Sequence, residues 1–363
     1  MRPPPCQASG NDLGCRSMRF FLLFLVFVPV SCGGLAPLPK ERHFTSLRQL
    51  TFGGENAEAY FSPDSRTLVF QSTRGSFRNT APKGEWACDQ ILTIPVDGGR
   101  AELVSTATGR TTCGYYLPAG DILFSSTHAA SPNCPPKPSY ARGYVWPIYD
   151  TYDIYLRKAN GALAPLIAAP GYDAEATVSP MGDRIVFTST RDGDLEIYTA
   201  AIDGSDVRRL TTTPGYDGGA FFSPDGKRIV YRAHHPTGAA LIEYRALLKA
   251  GLVRPSIMEI FVMDADGKNH RQLTRFGKAS FAPFFHNNNR QIFFASNFHD
   301  PRGRNFDIYL MADDGSRLER ITWSPDFDGF PMMSPDGKML AFSSNRGGRI
   351  RGETNVFVAE WQD

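Results

Sequence analysis

Apolar residues fall along this chain in short runs of four to six, and the runs come in pairs. "AEAYFSPDSRTLVFQST" (57–73), "TTCGYYLPAGDILFSST" (111–127) and "GYDAEATVSPMGDRIVFTST" (171–190) share one pattern with "GYDGGAFFSPDGKRIVYRA" (215–233), "FAPFFHNNNRQIFFASN" (281–297) and "DGFPMMSPDGKMLAFSSN" (328–345). Runs of this length, rich in β-branched and aromatic residues, suit strands rather than helices. The Ser-Pro-Asp-Gly-Lys link between them is a hairpin turn. Proline presets φ, aspartate bonds its own backbone, and glycine supplies positive φ. A second half follows each hairpin, as in "LEIYTAAIDGSDVRRLT" (195–211), "MEIFVMDADGKNHRQLT" (258–274) and "FDIYLMADDGSRLERIT" (306–322). The unit is therefore a four-stranded antiparallel meander, the blade of a β-propeller.

The ends set the number of blades. The last unit stops after "TNVFVAEW" without a fourth strand, while "FTSLRQLTFG" stands orphaned from Phe44 ahead of the first unit. Its "RQLT" recurs at 271–274, where it ends the fourth blade. The N-terminal strand is expected to complete the last blade and remove the two open edges of a linear array. The expected fold is all-β: a six-bladed propeller over residues 44–363, preceded by a linker at 33–43.

Composition changes this picture little. A 42% hydrophobic chain with 34 Gly and 27 Pro fits a turn-rich β globule, and a net charge of +2 predicts no nucleic-acid partner. A monomer is expected. Residues 1–32 read as an export signal, with Arg19 before an apolar stretch at 20–28 too short to span a bilayer, and Met18 as an alternative start. The segment also resembles a lipoprotein signal with Cys32 as the lipidated residue, although Pro29 stands where leucine is usual. Either reading sends the chain to the periplasm or cell envelope, with a membrane partner only through that anchor. Export favours oxidised thiols. Cys88, Cys113 and Cys134 should lie on one face of adjacent blades. Cys88–Cys113 is the expected pair, and a three-thiolate metal site is the alternative.

"SPDGKRIVYRA", "SPDGKMLAFSSNR" and "LEIYTAAIDGSDVRRLT" resemble the TolB-type propeller repeat, from Phe44 to the C-terminus. WD repeats do not fit, since no Trp-Asp pair occurs. The resemblance implies the blade, not the role. TolB carries a further N-terminal α/β domain for which there is no room between Cys32 and Phe44, and similar blades cap prolyl oligopeptidases and form oligogalacturonate lyases.

Repeats carry their own control: what recurs in every blade is scaffold, and what varies is where function sits. Gln90, Asp153, Glu196, Glu259, Asp307 and Asn355 open the third strands, and a polar group in all six places predicts a bond inside each blade. The inner-strand entries vary more: Asn56, Thr111, Asp173, Asp217, Ala279 and Asp328, with Glu58, Cys113, Glu175, Gly219, Phe281 and Phe330 two residues further in. A two-residue step keeps both positions on one strand face. Asp173, Asp217 and Asp328 could then ring one channel mouth with Glu58 and Glu175 below. Such oxygens suit Ca²⁺, another divalent cation or a cationic ligand group. The competing reading makes each aspartate a local turn cap. His128, His234, His235 and His299 follow second strands on the same face, as transition-metal ligands or plain surface residues.

Two loops on this face are enlarged. Residues 128–151 are aromatic and Pro-rich, with Tyr140, Tyr144, Trp146 and Tyr149. Residues 237–255 read as a helix capped by Thr237, with an apolar stripe of Leu241, Tyr244, Leu248 and Leu252. The two inserts form either a structural lid or the walls of a ligand pocket. The expected function is a non-catalytic exported module that binds a protein, peptide or glycan at this face, or a tethered structural part of the envelope. The alternative is a metal-assisted lyase or a hydrolase at the same mouth, although no Gly-x-Ser-x-Gly elbow is present.

Overall fold

The computed structural model describes residues 34–74, 85–325 and 327–363. They form six antiparallel sheets arranged as propeller blades, plus a two-stranded ribbon. Blade 1 comprises Asn56–Phe61, Thr67–Arg74, Glu85–Pro95 and Glu102–Leu103, from the axis outward. Blade 4, which matters most below, comprises Tyr216–Phe222, Arg228–His234, Glu259–Asp264 and Arg271–Gln272. Four of the six inner hairpins are closed as the sequence suggests. Ser62, Ser179, Ser223 and Ser334 donate to Asp64, Asp183, Asp225 and Asp336, each at 2.6 Å.

The ring closes at blade 6, where Phe44–Gln49 pairs with Asn355–Trp361. The expected linker is partly built into that blade. Gly34–Leu35 adds a fifth strand, pairing with Arg48 and Leu47. Glu41 is fully buried, and Arg346 grips both of its oxygens at 2.9 and 3.2 Å.

One buried bond shows how far the closing strand imitates the others. In the ordinary blades the third-strand polar residue meets a hydroxyl 15 positions later. These pairs are Gln90–Ser105, Glu196–Thr211, Glu259–Thr274 and Asp307–Thr322. In blade 6 the hydroxyl comes from the other end of the chain, Thr51 donating to Asn355 at 3.3 Å. The same Thr51 oxygen accepts from the Val356 amide at 2.8 Å, as Thr211 and Thr274 do from Ile197 and Ile260. The third-strand acids are thus blade-internal anchors, and blade 2 departs: Asp153 meets only the Tyr155 hydroxyl, at 3.4 Å.

One correction concerns the thiols. Cys88 pairs with Cys134, and Cys113 is free. Cys88 and Cys134 do meet, but Cys113, expected on the same face, does not join them. Cys113 belongs to an inner strand and turns into the channel, whereas Cys134 lies on the blade 2 insert. The bridge, spanning 46 positions, fastens that insert to blade 1. Loop-closure entropy makes such a link worth about 4 kcal/mol. The signal segment and Cys32 lie outside the described residues. No helix among the described residues is long and apolar enough to cross a membrane.

A chain beginning at Gly53 lacks the closing strand and should show no cooperative unfolding transition by circular dichroism in denaturant. Thr51→Val keeps the strand but leaves the Val356 amide unpaired in a buried seam. It should cost about 1–3 kcal/mol in the same titration.

Candidate functional site

The channel takes its shape from one backbone feature repeated six times. Glu58, Cys113, Glu175, Gly219, Ala282 and Phe330 all have φ between 50° and 59°. Each sits in a register shift of its inner strand, so two residues oppose one across the hairpin. A bulge of this kind re-aims the inserted side chain. Five of the six are not glycine, and left-handed backbone costs such residues about 1–2 kcal/mol each. The feature recurs in every blade, so it belongs to the scaffold. Only the side chains it presents differ. The structural alignment also moves the blade 5 positions by one residue from the sequence expectation: Ser280, paired with Ser296, opens the strand, and Ala282 is the bulge.

The bulge separates the two rows of residues that the sequence placed on one face. Glu58, Cys113 and Glu175 face the channel, while the aspartates sit within their own blades. Asp173 bonds Arg191 at 2.8 Å, Asp217 bonds His235 at 3.0 Å and Asp328 bonds Arg346 at 2.8 Å. Each partner lies 18 positions on, at or beyond the end of the neighbouring strand. The histidines also stay at home. His128 meets Ser126 at 2.8 Å, His299 meets Asp307 at 2.9 Å, and His234 is half-buried, with burial lowering its pKa. Among the described residues no three His, Cys, Asp or Glu side chains are grouped to share a metal ion.

What converges instead is a small enclosed cluster. Glu58, Cys113, Glu175 and Arg232 line a cavity of about 30 Å³, room for one or two waters. Arg232 was not anticipated. It pairs with Gly218 just ahead of the bulge, where the other blades carry Gln71, Ser125, Thr188, Ala295 and Ser343, and an arginine among those small or neutral residues was the available signal. It fits because blade 4 has glycine at the bulge: a Cβ on Gly219 would stand 2.0 Å from the Arg232 guanidinium. Arg232 donates to Glu175 and, at 2.6 Å, to the Tyr216 hydroxyl. The second Glu175 oxygen accepts from Thr188 at 2.8 Å and from the Gly219 amide at 2.9 Å. Glu58 keeps one buried oxygen without a partner.

Aromatic groups shut this cluster in at both ends. Tyr60, Tyr115 and Phe221 meet one another at centroid distances of 5.4–6.0 Å, and Phe284 packs on Phe221 at 5.4 Å. On the other side the Trp146 ring lies 5.3 Å from the Arg232 guanidinium and meets Phe281 edge-on at 6.5 Å. Burial raises Glu58 to about 7, opposed by its bond with the Cys113 thiol and reinforced by the charge of Glu175. Burial, then the charges of Glu58 and Glu175, push the Cys113 thiol well above its ordinary value. That thiol is held protonated and is a poor nucleophile.

The two inserts do build a groove. Trp146–Pro147 pairs with Leu252–Val253, joining the blade 2 and blade 4 loops into one ribbon. The helix Gly238–Lys249 buries Tyr244 and Leu247, with Leu241 and Leu248 partly covered. Thr237 occupies the cap position without a side-chain bond. The Tyr244 hydroxyl fixes the helix to Asp194 at 2.5 Å and to the Gly215 carbonyl at 2.6 Å. Between helix and loop opens a groove of about 1040 Å³, lined by Pro136, Lys137, Tyr149, Asp192, Arg245 and Lys249 among others. Tyr149 lines it as expected. Tyr140 and Tyr144 stack on each other outside it, 56% and 66% exposed.

The class is therefore a closed six-bladed propeller whose channel is narrow and partly aromatic and whose loops carry a groove. No family profile matches the chain. A curated relative, a TolB homologue of Chlorobium luteolum, is 29% identical over 182 residues, covering 50% of this chain and 35% of the relative. The chain thus spans about a third of that relative's length. TolB of Acinetobacter baumannii superposes with a TM-score of 0.54 at 17% identity, over 86% of this chain and 65% of that one. A gluconolactonase of Xanthomonas campestris superposes with a TM-score of 0.55 at 13% identity, over 88% and 91%. At such identities the superpositions show the fold alone. They show a β-propeller, and over half of its length the chain is similar to a TolB homologue.

Two outcomes follow from the cluster. Glu58 holds its proton more tightly folded than unfolded, since its pKa rises from 4.5 to about 7. Its contribution to stability is therefore lost as pH climbs from 4.5 through 7. Glu58→Gln should raise the denaturation midpoint at pH 8 and leave it nearly unchanged at pH 4.5. Thiol labelling should modify Cys113 only after denaturation, with a Cys88–Cys134 peptide recovered by non-reducing digestion and mass spectrometry.

Proposed function

We propose that this chain is an exported, non-catalytic binding or scaffold module of the bacterial cell envelope. It holds a protein, peptide or glycan ligand in the groove between the two inserts. In this reading residues 1–32 direct export, Cys32 is the site of lipidation and the stretch to residue 43 leads into the ring. The observation that carries the reading is the contrast in size. The groove offers about 1040 Å³, the volume of a ligand site, whereas the channel cluster offers about 30 Å³ behind Trp146. The groove wall mixes prolines, an aromatic ring and charges of both signs, which suits a polar polymer better than a small apolar molecule. The lyase or hydrolase reading has less to stand on, because the carboxylates and histidines it needs are engaged within separate blades.

Ala250 lines the groove at the end of the helix and is exposed, so Ala250→Trp fills the groove without touching the core. Native capture from envelope extracts, read by mass spectrometry, should recover a ligand with the wild type. Recovery should fall at least tenfold with Ala250→Trp and stay unchanged with Glu58→Gln. Loss with Glu58→Gln but not with Ala250→Trp would move the site into the channel and end this reading.

A further inference from the structure

Single exposed apolar side chains are ordinary on a protein surface. Their distribution here is not. Five large apolar residues among those described are more than half exposed: Tyr140 at 56%, Tyr144 at 66%, Ile242 at 72%, Ile350 at 67% and Met181 at 81%. Met181 lies in a hairpin between inner and second strands. The other four lie in connections between second and third strands, which in an antiparallel meander all leave from the opposite, insert-bearing face. They belong to alternate blades: Tyr140 and Tyr144 to blade 2, Ile242 to blade 4, Ile350 to blade 6.

Cations accompany each tip. Lys137 precedes the tyrosines. Arg245 and Lys249 share a helix face with Ile242, one and two turns on. Arg349 and Arg351 flank Ile350. All five are exposed, and none has an ion-pair partner among the described residues. Arg304, in the matching connection of blade 5, adds another exposed, unpaired cation. The insert-bearing face carries acids too, but Asp192, Glu243 and Asp300 are ion-paired with Arg209, Arg254 and Arg302, which leaves the cations around the tips in excess over Asp150. On the hairpin face acids and cations alternate within the same turns, as in Asp225–Lys227, Asp266–Lys268 and Asp336–Lys338.

We infer that the insert-bearing face docks on an anionic phospholipid surface, with Tyr140, Tyr144, Ile242 and Ile350 entering the headgroup layer and the flanking cations meeting lipid phosphates. Apolar tips set among unpaired lysines and arginines are what such an interface takes up. The arrangement favours a membrane over an acidic protein. The tips stand on three separated blades rather than in one contiguous patch, and a broad charged plane can engage all three together. The inference goes beyond the groove reading. Lys137, Arg245 and Lys249 also line the groove, so the residues substituted to test it, Arg349, Arg351, Ile242 and Ile350, are ones that do not.

The test uses residues 33–363, which hold the closing strand and all six blades. They are secreted behind a cleavable signal, so that no acyl chain at Cys32 binds either vesicle type and wild type and variants share one N-terminus. The probes are vesicles of phosphatidylglycerol with phosphatidylethanolamine, against vesicles of phosphatidylcholine. Co-sedimentation should favour the anionic vesicles at least tenfold and fall as salt rises. Each cation near the surface is worth about a fivefold change in affinity. Arg349→Ala with Arg351→Ala should therefore weaken binding by roughly tenfold or more, and adding Ile242→Ser and Ile350→Ser should abolish the anionic preference. In a separate reporter pair, Ile350→Trp should shift its emission to the blue on anionic vesicles, while Met181→Trp on the hairpin face should not. Equal binding to both vesicle types, an unshifted Ile350→Trp, or retention on polyglutamate without vesicle binding would each overturn the proposal.

Discussion

Everything in this molecule depends on a strand from one end of the chain finishing a blade begun at the other. A linear array of these meanders would present an unpaired third strand at one end and an unpaired inner strand at the other. Phe44–Gln49 covers the third strand of blade 6, while the inner strand of blade 1 stays the channel edge of its sheet, as in every blade. The join is built as a true fourth strand. Thr51 supplies the same hydroxyl, to the same pair of acceptor and amide, that Thr211 and Thr274 supply in complete blades. Glu41 then reaches across the join to Arg346, which also holds Asp328. One guanidinium thereby ties the incoming segment to the second and inner strands of the blade it completes. The Arg346–Asp328 pair repeats Arg191–Asp173 of blade 3, and in blade 6 it is also part of the lock.

The second constraint is the six-fold bulge. Left-handed φ at Glu58, Cys113, Glu175, Ala282 and Phe330 is uphill for each of them, and the hydrogen-bonded ring on either side over-determines it. With the bulge in place, the alternation of an ordinary strand no longer holds. The entry aspartates turn to partners within their own blades, and the bulge residues take the channel. That accounts for the fate of Asp173, Asp217 and Asp328, which are held by Arg191, His235 and Arg346. It also explains how one substitution reshapes the channel. Glycine at position 219 empties a place that Arg232 fills, and Arg232 then neutralises Glu175 and leaves Glu58 with an unpartnered oxygen.

The sequence made some of this legible and hid the rest, for physical reasons. Blade number, hairpins and closure were readable, because they rest on local patterns such as Ser-Pro-Asp-Gly and on the orphan "RQLT". The scaffold role of Glu196, Glu259 and Asp307 was readable from recurrence alone. The channel cluster was half readable. Glu58 and Glu175 stood out, but their separation from the aspartates depends on a backbone conformation that side-chain identity does not announce. The pairing of Cys88 with Cys134 was unreadable, since it depends on where a long insert folds back. Arg232 was within reach through the same internal comparison that exposed the acids, applied to the second strands.

Trp146 joins these parts. It belongs to the blade 2 insert, which the Cys88–Cys134 bridge fastens to blade 1 and the ribbon with Leu252–Val253 fastens to the blade 4 insert. Its ring covers Arg232, a charge from blade 4 that Glu175 of blade 3 holds in place. A desolvated guanidinium against an indole face is worth about 2 kcal/mol. A buried ion pair returns little net stability of its own, but removing one member is costly. The channel cluster therefore serves the inserts above it. Its charge fixes Trp146, Trp146 fixes the ribbon, and the ribbon sets the spacing between loop and helix that opens the groove. The narrow channel and the wide groove are two ends of one arrangement, and the buried Arg232–Glu175 pair in the channel supports the inserts that frame the groove.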